Sequence, residues 1–209
     1  MKHHVASYIL NPRHKVTVDL VGCGGNGSQM LGNLARLDAT LFALGHPGLH
    51  VRAFDPDIVT EANVGRQLFA KADCGFGKAA ALVTRINRYY DITWEAVQSI
   101  YKVGSRANIV ISCVDTVMSR RMVEINILKN ESRQDETIPF YWMDLGNSQH
   151  TGQFILGTTR PIAQNPKIKE ATGFLPTVVQ MFPDLEKFET KAQGPSCSLA
   201  EAINRQDLF

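Results

Sequence analysis

Val16-Thr-Val-Asp-Leu-Val-Gly-Cys-Gly-Gly-Asn-Gly-Ser28 decides the fold of this chain, together with His50-Val-Arg-Ala-Phe-Asp55 further on. Val16, Val18, Leu20 and Val21 read as a short buried strand, because apolar residues dominate and turn residues follow at once. Gly22, Gly24 and Gly27 then fall at the G-x-G-x-x-G spacing, with Gly25 between them, as the strand gives way to a helix. In such a turn the first glycine permits the tight bend and the second lets backbone approach a phosphate. The third lets the helix pack close to the strand. The helix start turns free N–H groups and its positive dipole end toward that phosphate. A second strand over 49–54 ends in Asp55, a carboxylate placed to accept hydrogen bonds from ribose hydroxyls. This half of the chain is expected to hold a nucleotide. The alternative is a glycine-rich turn with no ligand.

The remaining composition bounds the answer. A chain of 209 residues can bury one full α/β core and is short for two independent ones. Its 22 basic and 20 acidic residues leave a net charge of +2, so no general attraction to nucleic acid is implied. No apolar run reaches membrane-spanning length, and Met1-Lys-His-His-Val lacks a signal-peptide pattern. The 4 cysteines (Cys23, Cys74, Cys113 and Cys197) form no C-x-x-C pair, which argues against a disulfide framework and a structural zinc site. A reducing cytoplasm is the expected location.

In chain order, 1–15 is polar and reads as a loose lead-in with His3 and His4 solvated. A helix is expected over about 26–44, its stripe of Met30, Leu31, Leu34, Leu37 and Leu41 facing the core, stopped by Gly45-His-Pro-Gly48. A further helix should run from the Asp73-Cys-Gly-Phe-Gly-Lys78 segment to about Tyr90, burying Ala81, Leu82, Ile86 and Tyr89. Strands are expected over 92–100, 108–114, 139–146 and 152–157. The 108–114 run is apolar throughout, as in a strand buried on both faces. The short link 147–151 predicts that the last two pair as a hairpin. The expected fold is therefore a Rossmann-like, doubly wound α/β fold, mostly parallel with an antiparallel edge.

Asp55-Pro-Asp-Ile-Val-Thr-Glu-Ala-Asn-Val-Gly-Arg-Gln-Leu-Phe69 narrows the ligand. A plain dinucleotide-binding dehydrogenase has no reason to place Asn63, Arg66 and Gln67 just beyond the ribose-binding acid, whereas a triphosphate site does. Arginine offers a planar fork of donors to phosphate oxygens, and asparagine adds a neutral donor. A surface ion pair is the plain alternative for Arg66. Lys78 sits in the first turn of its helix, the wrong end for dipole stabilisation, and makes better sense facing a polyphosphate. Asp115, at the carboxyl end of the 108–114 strand, is a candidate to hold magnesium, a helix N-cap being the plain alternative.

These segments together resemble the ThiF, MoeB and ubiquitin-activating superfamily of adenylating enzymes. The resemblance rests on Gly22-x-Gly24-Gly25-x-Gly27, Asp55-x-Asp57, Asn63-x-x-Arg66-Gln67, Gly77-Lys78, Arg85-Ile86-Asn87 and Cys113-Val-Asp115, in order and at the right intervals. It covers Val16 to about Gly157. It implies ATP with magnesium, a homodimer or heterodimer, and adenylation of the C-terminal glycine of a small ubiquitin-like protein. It also implies that Asp55 binds ribose, that Asp57 belongs to the nucleotide-binding set, and that Asn63, Arg66, Gln67 and Lys78 grip the triphosphate. Asp115 would be the magnesium-linked aspartate. On this reading 1–159 is the ATP-binding adenylation domain, and 160–209 is a Pro-rich crossover segment with a C-terminal helix packing on it.

The tail is similar to ThiF-related proteins of the bacterial PRTRC cassette through Leu175-Pro-Thr-Val-Val-Gln-Met-Phe-Pro-Asp-Leu185 and the segment 195–209. That implies neighbours with ubiquitin-like, conjugating-enzyme-like and isopeptidase-like folds. Two departures stand out. The paired C-x-x-C zinc ligands of MoeB-like members are missing, so no zinc is expected, and Arg13 is the one N-terminal arginine available to reach a partner's site. Leu208-Phe209 ends the sequence where a helix shows its apolar residues, which suggests that later family elements are missing. Cys197 precedes the capping-box pattern Ser198-Leu-Ala-Glu201 and is the candidate thioester nucleophile. A thiol packed under the helix is the alternative. Adenylation aside, a nicotinamide-dependent oxidoreductase and a non-catalytic nucleotide-binding module share the glycine-rich fold.

Overall fold

The apolar run after Lys15 forms strand β1 (Val16–Val21), the central strand of the protein. The computed structural model describes residues 2–102, 106–128, 139–147 and 152–185. Along the chain β1 is followed by helix α2 (Gly25–Ala43), β2 (Leu49–Phe54), α3 (Lys78–Tyr90), β3 (Glu95–Val97), β4 (Ile109–Ser112) and α4 (Val117–Leu128). Then come β5 (Tyr141–Asn147), β6 (Gly152–Thr158) and α5 (Val178–Met181), and one short helix, α1 (Ser7–Leu10), precedes β1. Among the described residues the sheet has the order β3-β2-β1-β4-β5-β6. Pairing is parallel from β3 through β5 and antiparallel between β5 and β6, the predicted hairpin edge. The chain reverses its lateral direction between β1 and β4. Their carboxyl ends therefore open a crevice, the place where open α/β sheets bind ligands.

Alternation along the strands feeds two cores. Leu20, Val51 and Ile111 pack with Leu31 of α2 and Leu82 of α3, whereas Val110 and Trp142 pack with Val123 of α4 and Val178 of α5. β4 is buried on both faces, as its apolar run predicts. The segment beyond β6 contributes to the second core through Val178, Val179 and Leu185.

Four expectations change. Leu37 is 47% exposed, because Asp38 takes the inward position of α2 and accepts a 2.5 Å hydrogen bond from Leu49 N, tying the helix to the start of β2. Tyr89 is 81% exposed, while Tyr90 packs partly against the core in its place. The third strand is only Glu95–Val97: Trp94 leaves the ladder to plug the core, its backbone held at both ends by the Asn87 amide at 2.9 Å. The lead-in is not loose either. His3 bridges the Thr172 carbonyl at 2.7 Å and the Tyr141 hydroxyl at 2.9 Å, and Ala6 is buried with Tyr141 and Ile162. The proposed C-terminal helix lies outside the described residues.

Candidate nucleotide site

The turn after β1 is shaped by three glycines, of which two serve packing. Gly22 has φ +92°, and a Cβ there would meet the Cys113 carbonyl oxygen at 2.8 Å. A Cβ on Gly27 would overlap the Gly22 carbonyl oxygen at 1.9 Å, so the first turn of α2 lies directly on the exit of β1. Gly24 differs. It takes an ordinary φ of −76° at the N-cap of α2, and a Cβ there would have only Gln67 Nε2 within reach, at 3.7 Å. No side chain caps the helix, so the N–H groups at its start, from Gly25 onward, are left to a ligand or to water.

β2 delivers Asp55 to the same place. Its Oδ2 accepts a 2.6 Å hydrogen bond from Cys23 N and its Oδ1 one of 2.8 Å from Asp57 N. Burial raises this carboxyl above its ordinary value, opposed by those two backbone donors and by the charge of Lys78. Each oxygen keeps a lone pair for a ribose hydroxyl. Lys78, the first residue of α3, is buried, and its Nζ lies 2.9 Å from Asp57 Oδ2. Asp57 is thus the anchor of a cation set at the unfavourable end of a helix.

The loop beyond Asp57 packs over the glycine-rich turn. A 3-10 turn over Glu61–Asn63 is capped by Asn63 itself, whose Oδ1 accepts from Thr60 N at 2.9 Å and Thr60 Oγ1 at 3.0 Å. The Nδ2 end of the amide is therefore the donor end. Arg66 sits half-buried at the tip of a tight turn closed by the Val64–Gln67 bridge, with Gly65 at φ +78° behind it. Leu68 N donates to Ser28 Oγ at 3.4 Å, holding the loop on α2. Gln67 is the residue nearest Gly24, and its buried Oε1 has no hydrogen-bond partner among the described residues. Such an acceptor costs stability until a donor reaches it.

The structure thus brings Gly22, Gly24, Gly25, Gly27, Asp55, Asp57, Gln67 and Lys78 together through contacts, with Asn63 and Arg66 on the loop above. Asp115 stands apart, exposed in the bend between β4 and α4. It is not the cap of α4, because Thr116 Oγ1 accepts the bond from Ser119 N at 3.1 Å. Sequence reasoning missed Arg120 and Asp144, a buried ion pair at the carboxyl ends of β4 and β5. The signal available was a second cation in the first turn of a helix. Burial raises the thiols of Cys23 and Cys113, the latter to about 12, so neither is a ready nucleophile. Cys197 lies outside the described residues. Arg13 is exposed in the turn before β1.

The profile of the ThiF family matches residues 13–133, more than half of the sequence. The chain belongs to the ThiF family. Among solved structures this ThiF-family chain is similar to E. coli MccB, at 15% identity over 92% of this chain and 51% of that one, with a TM-score of 0.53. It is also similar to E. coli TcdA, a tRNA N6-threonylcarbamoyladenosine dehydratase, at 22% identity over 62% of this chain and 51% of that one, with a TM-score of 0.47. It spans about half the length of these structures. No curated protein matches it.

The ThiF-family site fits a nucleoside triphosphate on three counts. Gly24 leaves open the space a Cβ would fill, Gln67 holds a buried acceptor that a nucleoside O–H or N–H, though no phosphate oxygen, can meet, and Lys78 puts a cation beside Asp55. For magnesium the fit is narrower. No cluster of three acidic, histidine or cysteine ligands occurs among the described residues, so a hard cation would depend on Asp115 and on phosphate oxygens. No described helix is long and apolar enough to cross a membrane.

Proposed function

We propose that this ThiF-family chain uses ATP to adenylate a carboxylate, releasing pyrophosphate, and that the acceptor is the C-terminal carboxylate of a small ubiquitin-like protein. The observation that carries this reading is Lys78, a buried ammonium at a helix N-terminus, held by Asp57 and near enough to Asp55 for its charge to act on that carboxylate. An oxidoreductase binding a dinucleotide needs no such cation. A site in which pyrophosphate must leave does.

The chemistry is governed by charge. An ionised carboxylate attacks the α-phosphorus, the bond to the bridging oxygen breaks, and pyrophosphate departs with the electron pair. No general base is required, because the nucleophile is already deprotonated at neutral pH. Catalysis is then positioning and electrostatic stabilisation. The N–H groups at the start of α2 receive phosphate oxygens, Asp55 orients the ribose, and Arg66 with Lys78 neutralises the departing charge. Asn63 and Gln67 add neutral contacts. Magnesium bound with ATP, held by Asp115, would supply further neutralisation.

The partners follow the family resemblance: a ubiquitin-like protein as acceptor, a conjugating-enzyme-like protein downstream, and membership of a PRTRC cassette. The homodimer the family implies has an apolar surface available, because Met118, Met122 and Ile125 are exposed along α4. The decisive experiment is ATP–pyrophosphate exchange with candidate ubiquitin-like proteins. Exchange should require the partner and vanish when its C-terminal carboxylate is amidated. ATP binding without exchange for any partner would reduce the protein to a nucleotide-binding module, and tight NAD binding in place of ATP would restore the oxidoreductase reading.

A further inference from the structure

Arg120 has no role in the nucleotide contacts described for the site, yet it is held by a carboxylate and a backbone carbonyl at once. It lies buried in the first turn of α4, again the unfavourable end of a helix for positive charge. Its Nε donates to both oxygens of Asp144, at 3.2 and 3.0 Å, and its Nη2 donates to the Val114 carbonyl at 2.8 Å. Asp144, on β5, is fully buried and also accepts from Ser112 Oγ of β4 at 2.6 Å and Gln153 Nε2 of β6 at 3.0 Å. Trp142 Nε1 donates to Ser112 Oγ at 2.8 Å. Three strands and a helix therefore converge on one carboxylate.

Stability is a weak explanation for this arrangement. A buried ion pair recovers little beyond its desolvation cost, and apolar residues of similar volume often do as well. What the pair provides is a fixed direction. A planar guanidinium held by Asp144 aims its Nη2 at Val114, the residue immediately before Asp115. The bend carrying Asp115 is held on its near side by Cys113 N, bonded to the Val21 carbonyl at 2.8 Å, and on its far side by the Thr116 cap. The Arg120 bond fixes the peptide between them.

We infer that Arg120, oriented by Asp144, is a positioning residue that sets the backbone from which Asp115 reaches the crevice between β1 and β4. The inference rests on the proposed ATP reading. It predicts that the effect of Arg120 passes through Asp115. Lysine at 120 keeps the charge but cannot span Asp144 and Val114 with the same rigid fork. Gly146 gives a second handle, because a Cβ there would meet Arg120 Nη2 at 2.6 Å and Gln153 Nε2 at 3.1 Å, shifting the guanidinium and one other donor to Asp144 without removing any charge.

The test is a mutant cycle of Arg120→Lys, Gly146→Ala and Asp115→Asn, read by calorimetric ATP affinity with and without magnesium, AMP affinity, exchange rate and thermal denaturation. Arg120→Lys alone should lower the magnesium-dependent gain in ATP affinity, and any exchange, by about tenfold, while AMP affinity changes less than about twofold. In the Asp115→Asn background the same change should add less than about twofold. If Arg120→Lys does not fold, Gly146→Ala takes its place in the cycle, with the same sign and a smaller effect. Additive losses would overturn the inference and leave a structural ion pair, as would a fall in AMP affinity equal to that for ATP. A wild-type protein that binds no ATP would overturn the functional reading itself, and this inference with it.

Discussion

The backbone N–H of Cys23 donates a 2.6 Å hydrogen bond to Oδ2 of Asp55, fastening the glycine-rich turn after β1 to the end of β2. The other oxygen of the same carboxylate accepts from Asp57 N, and Asp57 in turn holds Lys78. One side chain thus ties together the glycine-rich turn, the end of β2 and, through Asp57, the Lys78 cation. Asp55→Ala leaves two backbone donors without their acceptor and should cost about 1–3 kcal/mol of stability as well as nucleotide affinity. Urea denaturation alongside AMP calorimetry checks both. Unchanged stability would show that the carboxylate serves the ligand alone.

Arg66 and Lys78 should separate ATP from AMP. Both are assigned to the leaving phosphates, so Arg66→Ala or Lys78→Ala should weaken ATP by about tenfold or more and AMP only slightly. Lys78→Ala also frees Asp57, which is largely exposed and can be solvated, so the fold should tolerate the change. An equal loss of AMP affinity would move these residues off the triphosphate.

Asp115 is exposed and makes no contribution to the cap of α4, so Asp115→Asn should leave the unfolding midpoint unchanged. On the proposed ATP reading it should remove most ATP–pyrophosphate exchange, because the carboxylate that would face a phosphate-bound metal is lost while packing is not. Exchange at the wild-type rate would remove Asp115 from the reaction.

Asp19 makes a prediction about pH that is independent of the nucleotide. It is fully buried in β1 and paired with Arg52 at 2.8 Å, yet burial outweighs that pairing and pushes its carboxyl up to about 6. A folded-state value above the unfolded one means that the protonated form is favoured by folding. This contribution is complete below about pH 4 and lost as pH rises through about 6. The stability of wild type relative to Asp19→Asn should therefore increase by roughly 2–3 kcal/mol between pH 7 and pH 4. Chemical denaturation across that range measures it. A flat difference would mean that Arg52 and Tyr101 hold the carboxylate ionised.

Much of the architecture was legible because strand and helix periods differ and glycines punctuate them. The 16–28 segment gave strand, turn and helix start, and the apolar run before Asp115 gave a strand buried on both faces. Exposure within helices was less legible: hydropathy put Leu37 and Tyr89 inside, and tertiary packing preferred Asp38 and Tyr90. The order of His3 was hidden because its partners, Thr172 and Tyr141, are far away in the chain. The Arg120–Asp144 pair joins α4 to the strand that follows it: the cation in the first turn of the helix was its local sign, and nothing around Asp144 marked that carboxylate as the partner.

The glycines offer the sharpest separation between a fold-making turn and a ligand-making one. Gly27→Ala forces a methyl onto the Gly22 carbonyl oxygen at 1.9 Å, a backbone contact that cannot swing away, and should destabilise the protein by about 3 kcal/mol or more. Gly24→Ala meets no such obstacle. Its nearest neighbour is the end of a flexible side chain at 3.7 Å, so the unfolding midpoint should fall far less than for Gly27→Ala. The same methyl would occupy the space through which a phosphate approaches the backbone of α2, so ATP and AMP affinity should both fall by about tenfold or more. Thermal denaturation and calorimetry on the two variants decide the matter. A Gly24→Ala protein that is stable and still binds nucleotide as wild type does would mean that this turn holds no phosphate.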